Sequence, residues 1–181
     1  MSAVQAKGEP SVSTPSFSPE EITRLRELLD IEAIRKVGVL YSQYLDSDYL
    51  EALAELFTED AVCEFGPYGQ WVGRETIYKN YVEVERTSGP NPGSKPYQAM
   101  HANTNHWVEM TGPDTAVGRR YLLDLLTNRA PDQHPFIWLA VYDEEYRRVA
   151  GSWQISRSTI QFLWPEKHLT GAFPGTFPPA R

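Results

Sequence analysis

Apolar residues recur at three- and four-residue steps from Leu25 through Leu28, Leu29, Ile31, Ile34, Val37, Leu40, Tyr41, Tyr44 and Leu45, the spacing of one apolar stripe on a helix. Ser18-Pro19-Glu20-Glu21 supplies its start, with a serine cap, a proline at the first helical position and early carboxylates that answer the exposed N–H groups. The pattern predicts one long helix, or two with a bend near Asp30. After Asp46-Ser47-Asp48, the stripe Leu50, Leu53, Leu56 and Phe57 predicts a second helix over 48–57. Residues 61–65 alternate as a short strand, Gly66-Pro67-Tyr68-Gly69 turns the chain, and Gln70-Trp71-Val72 leads through Gly73 into a third helix over 74–85. Beyond the loop 87–96, rich in proline and glycine, the period changes to two. Four strand-like runs, 98–110, 116–127, 136–149 and 152–163, predict an antiparallel meander. Helices followed by a meander make an α+β domain over 18–163. Residues 1–17 carry too few large apolar groups to order themselves and read as a disordered tail. Residues 164–181, with Leu169, Phe173 and Phe177, are expected to pack over the cavity or a neighbouring subunit.

The run Met-His-Ala-Asn-Thr-Asn-His-Trp-Val-Glu, starting at Met100, is the most unusual strand. Strict alternation puts His101, Asn103 and Asn105 on one face and Ala102, Thr104 and His106 on the other. A face carrying an imidazole and two amides either lines a wet, ligand-filled cavity or is the solvent side of an antiparallel sheet. By the same alternation His106 belongs to the outer face or an interface. Of Glu144 and Glu145, one must face inward unless a bulge or a sheet edge relieves it.

Composition narrows the chemistry. The chain has 181 residues, enough for one well-buried core, and a net charge of −7 with no Lys or Arg run longer than two, which argues against nucleic acid and anionic membranes as partners. Cys63 is the single cysteine, so an intramolecular disulfide and a cysteine-based zinc site are excluded, and a reducing, cytoplasmic setting is expected. On opposite strand faces His101 and His106 cannot chelate one ion without a bulge, and His134 and His168 lie in loops without a clear carboxylate partner. No Gly-rich phosphate loop is present, so neither metal nor organic cofactor is expected. Aromatic residues make up 12% of the chain, which suits a pocket for flat apolar ligands or a large protein interface.

The runs YLDSDYLEALAELFTEDAVCEFGPYGQWVGRETI, HANTNHWVEM, DTAVGRRYLL and VYDEEYRRVAGSWQISRSTI resemble the SnoaL-like branch of the NTF2-like superfamily over roughly residues 25–162. The resemblance implies a cone, a curved mixed sheet wrapped around helices with an apolar cavity inside. It also implies members of several kinds: dehydratases, isomerases, lyases that release formaldehyde from lignin-derived aromatics, polyketide cyclases and the non-catalytic β subunits of aromatic-ring dioxygenases. On the dehydratase pattern Asp46 and His101 form a hydrogen-bonded pair in the cone, the carboxylate holding one ring nitrogen and leaving the other to take a proton. Leu45 and Phe65 stand where that pattern has water-holding tyrosines, so Tyr41, Tyr44 or Tyr68 is the candidate phenol. Asn103 and Asn105 are candidates to hold a substrate hydroxyl or oxyanion, and Phe65, Trp71, Tyr121 and Trp138 to form pocket walls. The expected function is a cofactor-independent lyase for a small aromatic substrate, with loss of water or formaldehyde, in a homodimer or homotrimer. An isomerase using the same base is adjacent, and a dioxygenase-β-like scaffold with a filled cone is the alternative of a different class.

Overall fold

The computed structural model describes residues 16–87 and 97–170. The expectations for residues before 16, for 88–96 and for 171–181 lie outside the described residues. Helix α1 (Pro19–Asp46) is one unbroken helix, about 42 Å long at the ordinary rise per residue. Ser18 and Glu21 close a reciprocal capping box at its start. Its stripe is buried only in the second half, through Ile34, Val37, Tyr41 and Leu45, while Ile22, Leu25, Leu28 and Leu29 remain exposed. Helix α2 is short (Leu50–Ala54), because the chain is already extended at Phe57. There Phe57 pairs with Ile155, and the Leu56 carbonyl accepts the Ile155 N–H, so sheet pairing overrides the helical stripe expected through 57.

Strand β1 (Phe57–Glu64), a 3-10 turn (Gly66–Tyr68), β2 (Gln70–Val72) and α3 (Arg74–Thr87) follow. Then β3 (Ala99–Gly112), β4 (Thr115–Leu126), β5 (Phe136–Val149) and β6 (Ser152–Trp164) make the expected meander. Among the described residues the sheet has six strands in the order β2-β1-β6-β5-β4-β3, with β1 parallel to β6 and every other pair antiparallel. The helices pack on one face of this mixed sheet around a core that includes Ile34, Leu53, Phe57, Ile77 and Ile155. Past Trp164 the chain turns back along β6, where His168 and Phe162 exchange both backbone hydrogen bonds and Gln161 holds Thr170.

One local feature rearranges the site. The register of β3 on β4 shifts between Thr104 and Trp107, and Asn105 sits at φ 51°, a left-handed conformation that asparagine tolerates better than most residues. This bulge inverts the alternation beyond it. Asn105 turns to the outer face, and His106, expected outside, points inward against α1 and β5. The imidazole fits between two glycines. A Cβ at Gly118 would lie 2.9 Å from the Trp107 carbonyl oxygen and 3.2 Å from His106 Nε2, and one at Gly38 would lie 3.1 Å from the His106 ring. Because the nearest neighbour of Gly118 is backbone, Gly118→Ala is expected to destabilise the fold by about 1–3 kcal/mol in urea unfolding, the usual range for overpacking.

Glu144 does face inward, since alternation along β5 continues through buried Glu144, exposed Glu145 and buried Tyr146. Arg120 meets it through two hydrogen bonds, Nε to Oε2 at 2.9 Å and Nη2 to Oε1 at 2.7 Å, with both side chains fully buried. Tyr146 and Ser158 donate to the remaining lone pairs, and the Tyr146 oxygen in turn lies 3.1 Å from His106 Nε2.

Candidate active site

The helices and the inner faces of β3–β6 enclose two chambers that share part of their walls. The inner one, about 110 Å³, is lined by Tyr41, Leu45, Phe65, Tyr68, Trp71, Tyr81, Leu122, Trp138, Tyr142, Ile160 and Phe162, with His101 and Asp124 at one end. The outer one, about 340 Å³, adds Asp46, Tyr97, Gln98, Leu126, Arg129 and Ile137 and shares His101, Asp124, Tyr68 and Trp138 with the first.

Asp46 is the last residue of α1 and is buried. Its side chain does not cap α2, whose first turn has no side-chain cap. It reaches β3 instead. Both carboxylate oxygens accept the His101 backbone N–H, at 3.2 and 3.1 Å, and Oδ1 lies 2.5 Å from His101 Nδ1. An ionised carboxylate can only accept, so Asp46 fixes the proton on Nδ1 and leaves Nε2 to the cavity. Burial alone pulls the His101 pKa down, but the Asp46 hydrogen bond and the charges of Asp124 and Asp46 outweigh it, and the ring stays protonated above its ordinary range. Stability from this histidine is therefore full below its unfolded value and lost as pH rises through the raised one.

His106 behaves in the opposite sense. Burial, with Arg120 and Arg35 adding to it against the pull of Glu144, lowers its pKa from 6.5 to about 4. The unfolded chain binds a proton there that the folded chain refuses. Stability is full above pH 6.5 and is expected to fall by up to about 3 kcal/mol as pH drops from 6.5 to 4. Unfolding of wild type and His106→Gln across that window checks this, the variant losing less over the same interval. Although the bulge puts both histidines on the helix side of the sheet, His101 bonds Asp46 and His106 bonds Tyr146, so they belong to separate networks.

A cluster of three phenols forms part of the inner wall. Tyr41 Oη lies 2.5 Å from Tyr81 Oη and 3.2 Å from Tyr142 Oη. Three hydroxyls carry three protons, and these two hydrogen bonds use two of them, so one proton is left for a guest molecule. Burial raises all three phenol pKa values, which keeps them donors at neutral pH. The Arg120 guanidinium stacks beneath, 4.5 Å from the Tyr41 ring centre and 4.3 Å from that of Tyr142. It favours negative charge developing on or near these oxygens.

Of the residues expected from the sequence, the structure brings Asp46, His101, Tyr41, Phe65, Tyr68, Trp71 and Trp138 to the chambers. Asn103 faces inward but onto α1, where its amide donates to Ser42, and it is not part of either wall. Asn105 is on the outer face because of the bulge. Tyr121 is also outside, 47% exposed, since it pairs with Thr104 on the outward parity of β4. Tyr44 packs against the core one helical turn away from the cavity-lining Tyr41 and reaches neither chamber. Asp124, Tyr81, Tyr142 and Arg120 were not foreseen. A lone aspartate inside Tyr-Leu-Leu-Asp-Leu-Leu, and the alternation of Tyr142, Glu144 and Tyr146, are the signals that point to them.

The fold is a helix-covered, aromatic-walled cone with a hydrogen-bonded His–Asp pair where its two chambers meet. The chain belongs to the SnoaL-like domain family, whose model matches residues 26–159. Among solved structures it is similar to a candidate scytalone dehydratase of Novosphingobium aromaticivorans DSM 12444 (22% identity, 83% of this chain and 97% of that one, TM-score 0.66). It is also similar to an NTF2-like protein with a cystatin-like fold from N. aromaticivorans (22% identity, 80% and 89%, TM-score 0.66). A hexachlorocyclohexane dehydrochlorinase, LinA type 2, aligns comparably (21% identity, 84% and 99%, TM-score 0.63). Identity at this level shows the shared fold. Among curated proteins there is no match to this chain. No helix among the described residues is long and apolar enough to cross a membrane.

Proposed function

We propose that this protein is a cofactor-independent lyase acting on a small aromatic molecule, with His101 as the base, Asp46 as the residue that orients it and Tyr41 as the donor to developing negative charge. The observation that carries this reading is the His101 ring, anchored at Nδ1 by Asp46 and open at Nε2 to a cavity walled by aromatic side chains. For loss of water, Nε2 takes a proton from carbon, the electron pair forms the new double bond as the neighbouring C–O bond breaks, and the departing oxygen takes the spare proton of the phenol cluster. For loss of formaldehyde, Nε2 takes the proton of a hydroxymethyl group, the C–C bond breaks as the new C=O forms, and the carbon left with the electron pair takes the proton back from the imidazolium. The dehydratase and dehydrochlorinase names of two structural neighbours are both names of eliminations, which supports the same class of step here. An isomerase would use the same base and return the proton to another carbon. A scaffold would fill the space beside His101 with its own side chains, so the open chambers support the enzyme reading.

The test is a turnover screen of the purified chain, without added metal or cofactor, against hydroxylated phenylpropanoid monomers and dimers, read by formaldehyde release and ultraviolet absorbance. Turnover that disappears in His101→Ala is the expected result, and the product identifies the bond broken. Turnover unaffected by that change, or copurification with a larger partner and no turnover on any aromatic, would overturn the reading.

A further inference from the structure

Three side chains converge where the two chambers join: Asp46 from the end of α1, His101 from β3 and Asp124 from β4. His101 and Asp124 are direct cross-strand partners, which places both side chains on one face of the sheet within reach of one small guest. Asp124 Oδ2 lies 3.8 Å from His101 Nε2, beyond hydrogen-bond distance. The other oxygen, Oδ1, is buried and has no hydrogen-bond partner among the described residues, although the side chain is only 10% exposed. A carboxylate held this deep with an oxygen left unbonded costs stability unless a group other than the described residues supplies the bond.

The charges around it limit what that something is. Asp46 faces the same point across the imidazole, and Glu85 of α3 lines both chambers. Arg120 stands beneath the phenols and is committed to Glu144, while Arg129 lines only the outer chamber. Among the described residues, the junction of the two chambers is thus acidic apart from His101. A neutral hydroxyl suits it, since one group donates to Asp124 and accepts from the imidazole or a phenol. A carboxylate brings only acceptors and a like charge.

We propose that Asp124 is the ligand-selecting residue of the cavity: its unpartnered oxygen receives the hydroxyl of a neutral aromatic alcohol or phenol beside His101 Nε2, and the same carboxylate excludes aromatic acids of equal size. The proposal rests on the cavity being the ligand site, as in the function proposed above, but not on any turnover.

The experiment compares benzyl alcohol with benzoate as probes of the full-length chain at pH 7, by calorimetry and by following the His101 ring resonances. Wild type is expected to bind the alcohol at least tenfold more tightly than the acid. Asp124→Asn keeps the shape and removes the charge, so the preference should shrink at least tenfold. In the ligand-free protein the same change is expected to lower the midpoint of His101, because a raising charge is gone, a shift that a merely structural role of Asp124 would not produce. Asp124→Ser repeats both readings if the asparagine variant does not fold. Equal binding of the two probes by wild type, no binding of either, an unchanged preference in a folded variant, or an unmoved His101 midpoint would each overturn the proposal. An unchanged preference in Asp124→Asn beside a His101→Ala variant that has lost turnover would remove this inference and leave the lyase standing. The altered preference with turnover intact in His101→Ala would do the reverse.

Discussion

Arg120→Met, made with Glu144 left in place, is expected to destabilise the chain by about 3–5 kcal/mol in urea unfolding, the largest effect of any single substitution outside the apolar core. Both side chains of the pair are wholly buried, and Glu144 receives four donors: two from the guanidinium, one from Tyr146 and one from Ser158. Deleting the arginine leaves a carboxylate without its counter-charge in a place water does not reach. Proton uptake by Glu144 is the way out, so the loss should be smaller at low pH. The paired change Arg120→Met with Glu144→Gln should recover part of the loss, because no bare charge remains. A single variant that loses less than about 1 kcal/mol would mean that the pair is hydrated and does not hold β4 to β5 as described.

Asp46→Asn is expected to lower kcat by about a hundredfold or more while leaving the fold in place. An amide can still accept the His101 backbone N–H through its one oxygen, so the strand position survives. What disappears is the negative charge 2.5 Å from Nδ1, which fixes the tautomer and stabilises the imidazolium that forms when Nε2 takes a proton. The same substitution should lower the His101 midpoint, since the Asp46 hydrogen bond and charge both raise it. The basic form of the ring would then appear at lower pH, and the rise of rate with pH would start earlier but reach a far lower plateau. Rate profiles of the two proteins, with the His101 midpoint followed by NMR, check both effects together.

The pairing of Asp46 with His101 came from the resemblance to the SnoaL-like branch, while the face that His101 shares with Asn103 was legible from the parity of the first residues of β3, which is local geometry. The strand runs were legible for the same reason, as their period of two is local. Two kinds of feature were not. The first is a bulge, which turns on a single left-handed residue, Asn105, and reverses every inside and outside assignment beyond it, so that Asn105 and His106 exchanged places. The second is anything decided between strands. That Asp124 opposes His101, or that Arg120 meets Glu144, depends on the registers of β3, β4 and β5, which no single strand encodes. The phenol cluster has the same origin, since Tyr41, Tyr81 and Tyr142 come from two helices and a strand far apart in the chain.

The measurement that bears most directly on His101 as the base is the pH–rate profile of wild type beside His101→Ala, on whichever aromatic alcohol the screen finds to be turned over. With His101 as the base, the wild-type rate should rise with pH through a midpoint above the ordinary histidine value. His101→Ala should lose at least about a hundredfold at the plateau, and exogenous imidazole should restore part of that loss. A variant that turns over at the wild-type rate, with the same profile, would contradict it.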